Sequence, residues 1–423
     1  MVAIAPWGTM TGRDRCVLLA DVLAAALAAV LPWSTSATTI LVWLWLVAVI
    51  PTLDVARLRR VLMTPAGGLP VLFVALGLIG MLWAFDVPMK ERWGGFGSFY
   101  RFLFIPLLIA HFCRSGRGSW VVIGFIVSCA TVQVVSWMLI ADPSLRWPIY
   151  VAGGPGIPVR DYIAQSGEFI VCAFLLAALA LTAWQNERRW LALALALLVV
   201  SFLFNVIAVT SSRTGIVVIP VLLLLFAWQR LSWKGFSGLV LVAAVLAGLA
   251  VAVSPRLQDN VAGVLGEVRD FDPQGQGTRA GERLEYWKKS IGFIATAPLI
   301  GHGTGSIRDQ FRRTVAGQTG MAAMASSNPH NQTFAVAVQL GLLGTVVLFA
   351  MWIAHVLVFR GSGFVAWAGL VIVVQNIVSS LFNSHLFDFT QGWGYVIGVG
   401  VAAGMAFKEQ GTPAMSGREP LRA

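Results

Sequence analysis

A chain of 423 residues that is 57% hydrophobic and only 12% charged cannot cover itself with polar surface, which excludes an ordinary water-soluble domain. The net charge of +11 would suit a nucleic-acid binder, but no basic-and-aromatic module accompanies it, so no nucleic-acid partner is expected. Cys16, Cys113, Cys129 and Cys172 lie within or at the ends of apolar runs, with neither metal-ligand spacing nor a disulfide framework.

Apolar runs of about 20 residues match the thickness of a bilayer core. About twelve are expected to span it, near 16–33, 37–53, 68–85, 98–113, 119–141, 163–184, 190–209, 214–229, 236–254, 332–358, 363–382 and 391–407. The first follows Arg13 and Arg15 and resembles a signal peptide, but the second comes almost at once, so a retained hairpin is expected. Spanning backbone must satisfy its own hydrogen bonds, so the expected fold is an all-α integral membrane bundle. One integrated domain is expected: spans one to nine in 1–254, a long outer loop in 255–331, spans ten to twelve in 332–407 and a tail in 408–423.

Basic residues orient the bundle. With the N-terminus inside, the cytoplasmic segments hold Arg57, Arg59 and Arg60; Arg114 and Arg117; Arg188 and Arg189; Arg230 and Lys234; Arg360; and Lys408, Arg418 and Arg422 in the tail. The opposite short loops hold mainly Lys90, Arg92, Arg146, Arg160 and Arg213. The positive-inside rule therefore puts both termini in the cytoplasm, and the 142–162 loop, the Arg213 turn and segment 255–331 outside. The polar end of the tail, from Gln410, is expected to be disordered.

The outer segment is too long for a bare connection. Leu284, Trp287, Ile291 and Ile294 recur with helical spacing, predicting an amphipathic helix that Pro298 ends and that Gly301, Gly303 and Gly305 follow as a flexible turn. Arg279 and Arg283 stand one turn apart at its start, able to present guanidinium groups to one side. The run Gly301-His302-Gly303-Thr304-Gly305 lacks the preceding strand and downstream acid of a nucleotide loop and reads as a tight turn. Among polar residues in the spans, Arg101 and Glu168 are expected to form a structural ion pair.

Three motifs fall in order along the outer edge: Ser212-Arg213-Thr214-Gly215 opening a span; Arg283, Leu284, Trp287 and Pro298-Leu299-Ile300-Gly301-His302-Gly303 in the loop; and His330-Asn331 leading into Gln339-Leu340-Gly341-Leu342-Leu343-Gly344. From Asn205 to about Phe349 the chain resembles the shared domain of the O-antigen ligase and O-antigen polymerase superfamily. The resemblance implies a metal-independent glycosyltransferase of the inner membrane, without a cofactor, acting on an undecaprenyl-diphosphate-linked glycan at the periplasmic side.

Independent chemistry agrees with that expectation. A departing diphosphate needs positive charge, and arginine's planar fork matches phosphate oxygens while staying charged. Arg213 and Arg283 are expected to clamp the diphosphate, with Arg279 a further candidate; no metal ligand is expected. His330 is the candidate base, because an imidazole titrates near neutrality and can take an acceptor's hydroxyl proton. Ser212, Asn331, Arg160 and Tyr162 are candidate substrate contacts.

The expected reaction is inverting transfer of O-antigen glycan from undecaprenyl diphosphate to lipid A-core oligosaccharide, among membrane lipids. Alternatives are an O-antigen polymerase, a protein O-oligosaccharyltransferase or, from another class, a polyprenol-lipid flippase. Against a flippase, the chain has no repeated pair of interrupted spans, and its polar residues gather at one edge rather than at the midplane.

Overall fold

The computed structural model describes residues 10–142, 144–145, 154–159, 161–253, 279–315 and 317–411. Within them the protein is all-helical, with no strand, as a membrane protein built on apolar runs must be. The helices are α1 (Gly12–Val30), α2 (Thr35–Val49), α3 (Val55–Leu62), α4 (Pro65–Ile79), α5 (Met89–Phe96), α6 (Phe104–Phe112), α7 (Gly118–Ala141), α8 (Tyr162–Gln185), α9 (Arg189–Asn205), α10 (Arg213–Arg230) and α11 (Trp233–Val253). After the interval 254–278 come α12 (Arg279–Thr296), α13 (Ile307–Val315), α14 (Gln332–Val358), α15 (Phe364–Ser379) and α16 (Phe389–Glu409).

All twelve intervals predicted from hydropathy hold helix, but helix and span are different things. Among the described residues seven helices are long and apolar enough to cross a membrane: Thr35–Thr52, Met89–Phe112, Gly118–Ala141, Tyr162–Gln185, Arg189–Thr210, Arg213–Arg230 and Gln332–Val358. An eighth arises if α3 and α4, bent by 82°, count as one broken span. Helix α1, which begins before the first predicted span and overlaps it, carries Arg13, Asp14, Arg15 and Asp21, and α15 is only 16 residues long. These features keep both outside the set.

Burial explains the bundle. Along α9 the residues Leu193, Leu197, Val200 and Phe204 repeat at helical spacing and are all outward-facing, a lipid-facing stripe. The opposite face joins a buried cluster in which Phe169, Phe202, Leu222 and Trp367 tie α8, α9, α10 and α15 together. A larger cluster joins α1, α2, α4, α6, α14 and α16 through Leu27, Trp45, Phe73, Phe112, Met351 and Tyr395. A third, Tyr286, Phe293, Ile307, Phe311, Ala335 and Val338, fixes α12 and α13 on the first turns of α14.

That third cluster corrects the predicted stripe of α12. Tyr286 and Phe293 face inward with Glu285 and Ser290, whereas Ile291 is 57% exposed. The inner face is set by aromatic packing on α14, leaving the apolar Ile291 edge turned outward. Helix α12 ends at Thr296, just before Pro298, as predicted.

The glycine turn is tight and folds back on the bundle, as expected, but it is a docked wedge rather than a flexible link. Gly301, Gly303 and Gly305 have φ of 67°, 88° and 86°, values that suit glycine. His302 and Gly303 donate backbone N–H groups to the carbonyls of Val338 and Gln339 (2.9 Å each), and Thr304 donates to Gly80 (3.0 Å). The partner helix α14 breaks at Gly341 (φ 60°, ψ −154°). Leu342 and Leu343 then donate to the carbonyls of Pro298 and Leu299 at 2.8 and 3.1 Å. Loop and helix thus satisfy each other's orphaned backbone groups, as buried backbone requires.

Candidate active site

His330 sits between α12 and α14 in a left-handed conformation, with φ of 53°. For a residue other than glycine this costs on the order of 1–3 kcal/mol and needs local support. Asn328 provides it: its Oδ1 accepts the His330 backbone N–H at 2.8 Å and the Ser384 hydroxyl at 2.8 Å. The ring lies nearly parallel to Tyr286, with centroids 5.8 Å apart at 21°. Asn383 Oδ1 lies 3.0 Å from His330 Nδ1 and also accepts from Asn328 Nδ2 (2.9 Å). Asn383 Nδ2 in turn donates to Asp388 Oδ2 at 3.0 Å.

The electrostatics of the ring favour the neutral form. Burial pushes the His330 pKa below its usual 6.5, and the nearby Arg283 guanidinium pushes the same way; the Asn383 contact and the Asp388 and Glu282 carboxylates oppose them. Arg283 and His330, far apart in sequence, are therefore close in space. A neutral imidazole beside a fixed cation suits proton acceptance next to an anion.

Arg213 reaches the same end of the bundle by a different route. Ser136, Gln165 and Asn205 form a buried hydrogen-bonded group, with Asn205 Nδ2 donating to Ser136 at 2.8 Å and Gln165 donating to Asn205 at 3.1 Å. Helix α9 then widens into a π-turn over Val206–Thr210, and Ser211 reverses the chain at φ 47°. Ser212 caps α10 by accepting from Gly215 N at 3.2 Å, so Arg213 is its first residue. At the other end of α10, Arg230 donates to the carbonyls of Ser362 and Gly363 at 2.8 and 3.0 Å. Because α10 packs along α15, the two run antiparallel. Arg213 therefore lies at the level of Ser379, where the chain enters the Asn383–Asp388 turn.

The remaining predicted residues have mixed fates. Arg279 is in the first turn of α12, with its side chain outside the described residues, and Arg160 lies wholly outside them. Asn331 caps α14, accepting from Phe334 N at 3.1 Å and donating to the Leu381 carbonyl at 3.1 Å. Tyr162 opens α8 behind the Asp161 cap. The expected Arg101–Glu168 ion pair does not form: Arg101 donates instead to the carbonyls of Asp388 and Phe387. Its charge steadies the very turn that holds Asn383. Both Glu168 carboxyl oxygens lack a hydrogen-bond partner among the described residues.

The other histidines are engaged elsewhere. His111 contacts Asp21 at 2.8 Å, His355 contacts Tyr395 Oη at 2.7 Å, and His302 meets the Phe293 carbonyl at 2.8 Å at the end of α12. His385 lies 3.4 Å from Asp388, beside the site. An apolar cleft of about 410 Å³ runs between α7, α8, α15 and α16, from Met405 up to Glu168, Gln375 and Thr390. Thr390 is two residues from Asp388.

Against this geometry, residues 198–349 match the family model described as O-antigen ligase. The chain carries an O-antigen ligase domain. The matched segment runs from α9 into α14 and includes Arg213, Arg279, Arg283 and His330, but stops short of Asn383 and Asp388. No curated protein matches the chain. Over those residues this multi-pass membrane protein is similar to the O-antigen ligase family.

Proposed function

We propose that the protein is an O-antigen ligase of the inner membrane, moving a glycan from undecaprenyl diphosphate onto lipid A-core oligosaccharide at the periplasmic face. The observation that carries the reading is the pairing of a half-buried His330, whose surroundings favour the neutral imidazole, with Arg283 at the end of the bundle where Arg213 begins α10. The acceptor hydroxyl attacks the anomeric carbon while His330 takes its proton. The bond to the diphosphate breaks with its electron pair, and the developing charge falls to Arg213 and Arg283, with Arg279 as a further cation. One base and one leaving-group clamp make a single displacement, which inverts the anomeric centre. The cleft beneath Thr390 supports a lipid substrate: Thr390 and Met405 are separated by fifteen residues of α16, roughly 22 Å of apolar wall for a hydrocarbon chain.

The test is to incubate purified protein with lipid-linked glycan and lipid A-core in the presence of a metal chelator. Formation of glycosylated lipid A-core is the expected result. Lengthened lipid-linked glycan instead would make the protein a polymerase, and a strict need for added magnesium or manganese would overturn the arginine clamp.

A further inference from the structure

The hydrogen bonds around His330 determine more than its position. Asn383 Oδ1 accepts the backbone N–H of Ser384 at 3.0 Å, and a backbone N–H can only donate. Asn383 Nδ2 faces Asp388 Oδ2 at 3.0 Å, and an ionised carboxylate can only accept. These two contacts fix which end of the Asn383 amide is oxygen, without reference to the histidine. Asn328 is fixed in the same way, because its Oδ1 accepts the His330 backbone N–H. The atom that meets His330 Nδ1 at 3.0 Å is therefore an acceptor, so Nδ1 must carry the ring hydrogen.

We propose that Asn383, oriented by Asp388 and Asn328, is a positioning residue that holds His330 as its Nδ1–H tautomer, leaving Nε2 as the atom that receives the acceptor's proton. This rests on the glycosyl-transfer reading for its catalytic consequence, but the tautomer itself does not. Tyr286 fixes the plane of the ring and the Asn383 oxygen fixes its rotation, so Nε2 points away from the Asp388 turn. When Nε2 takes the proton, the imidazolium keeps its Nδ1–H bond to Asn383, whose amide passes the influence of the Asp388 charge without moving a proton. The charged groups facing the ring are Arg283 and Glu282 from α12 and Asp388 from the turn before α16. Among the described residues, Tyr286 stacked on the ring and His385, sharing Asp388 at 3.4 Å, are further titratable groups there.

The experiment is ¹⁵N NMR of histidine-labelled full-length protein in lipid nanodiscs, with the His330 signals assigned by their loss in His330→Gln. The wild-type protein should show protonated Nδ1 and unprotonated Nε2 at neutral pH. Asn383→Ala should lose that preference and lower kcat roughly tenfold or more, short of the roughly 10²–10⁴-fold loss for removing a base, with KM for the lipid-linked donor unchanged. Asn383→Asp sets a carboxylate directly against Nδ1, so it should keep the tautomer and move the acid limb of the activity profile to higher pH. An Nε2–H tautomer in wild-type protein would overturn the proposal, even if Asn383→Ala failed to fold. So would an unchanged tautomer in a folded Asn383→Ala protein. Should His330→Gln remain fully active, the catalytic reading fails while the tautomer result still stands or falls by its own spectrum.

Discussion

At the residue scale, His330 should act as a base over an unusually acidic range. Its pKa is lowered by burial and by Arg283, so the neutral form persists below the usual 6.5 and activity should fall only as pH drops through that lowered value. Arg283→Gln removes one cause of the lowering and should shift the acid limb to higher pH, alongside its cost in rate. A limb left in place would mean that Arg283 does not act on the ring. His330→Ala should lose roughly 10²–10⁴-fold in turnover while donor binding persists. Parallel loss of binding, measured with radiolabelled lipid-linked glycan, would make the residue structural. Arg213→Lys and Arg283→Lys should each impair transfer despite keeping the charge, because a single ammonium cannot replace the two-pronged fork. His330 and Arg283 could be read from sequence because each belongs to a short motif. Asn383 and Asp388 could not, since a polar turn between two apolar runs shows no spacing until folding brings it to the imidazole. The run from Ser379 to Ser384, followed by His385 and Asp388, was the available signal. Arg101 was misassigned for a related reason: sequence reveals a buried cation's need for a partner, but not that backbone carbonyls will meet it.

At the element scale, hydropathy located the helices and missed their junctions. Arg57, Arg59 and Arg60, expected in a connection between spans, lie in helix α3, where Asp54 accepts from Arg57 N at 3.1 Å and starts a short amphipathic helix. The glycine turn was visible in the sequence, but the break at Gly341 was not, because it falls inside a run expected as one span; the hydrogen bonding between the two joins segments some forty residues apart and has no local signature. A Cβ at Gly341 would lie 2.4 Å from the Leu299 carbonyl carbon, at a φ of 60° that a side chain resists. Gly341→Ala should therefore destabilise the protein by about 1–3 kcal/mol or more, read as a lower thermal midpoint in detergent. Gly94→Ala, in α5 where nothing lies within 4 Å of the added carbon, is the matched control and should not lower the midpoint.

At the scale of the whole molecule, the orientation expected from charge can be tested without activity. In a variant lacking the four native cysteines, Gln318→Cys should react with a membrane-impermeant maleimide in intact spheroplasts. Gly361→Cys should react only after the membrane is opened; both positions are exposed. The reverse pattern would invert the bundle and move the proposed chemistry to the cytoplasm. The docking of 298–303 against 338–343 has a mechanical consequence as well. Helix α12 and the first segment of α14 leave that junction together like the jaws of a calliper, with Arg283 near one tip and His330 at the other. Arg283 stands thirteen residues from the end of α12, roughly 20 Å along the helix. Over that lever a tilt of about 3° opens the jaws by about 1 Å, a misplacement that can cost on the order of 10²-fold in rate. The glycine joint and the aromatic cluster that holds α12 against α14 thus together set the tolerance to which the proposed proton acceptor and leaving-group cation are gauged.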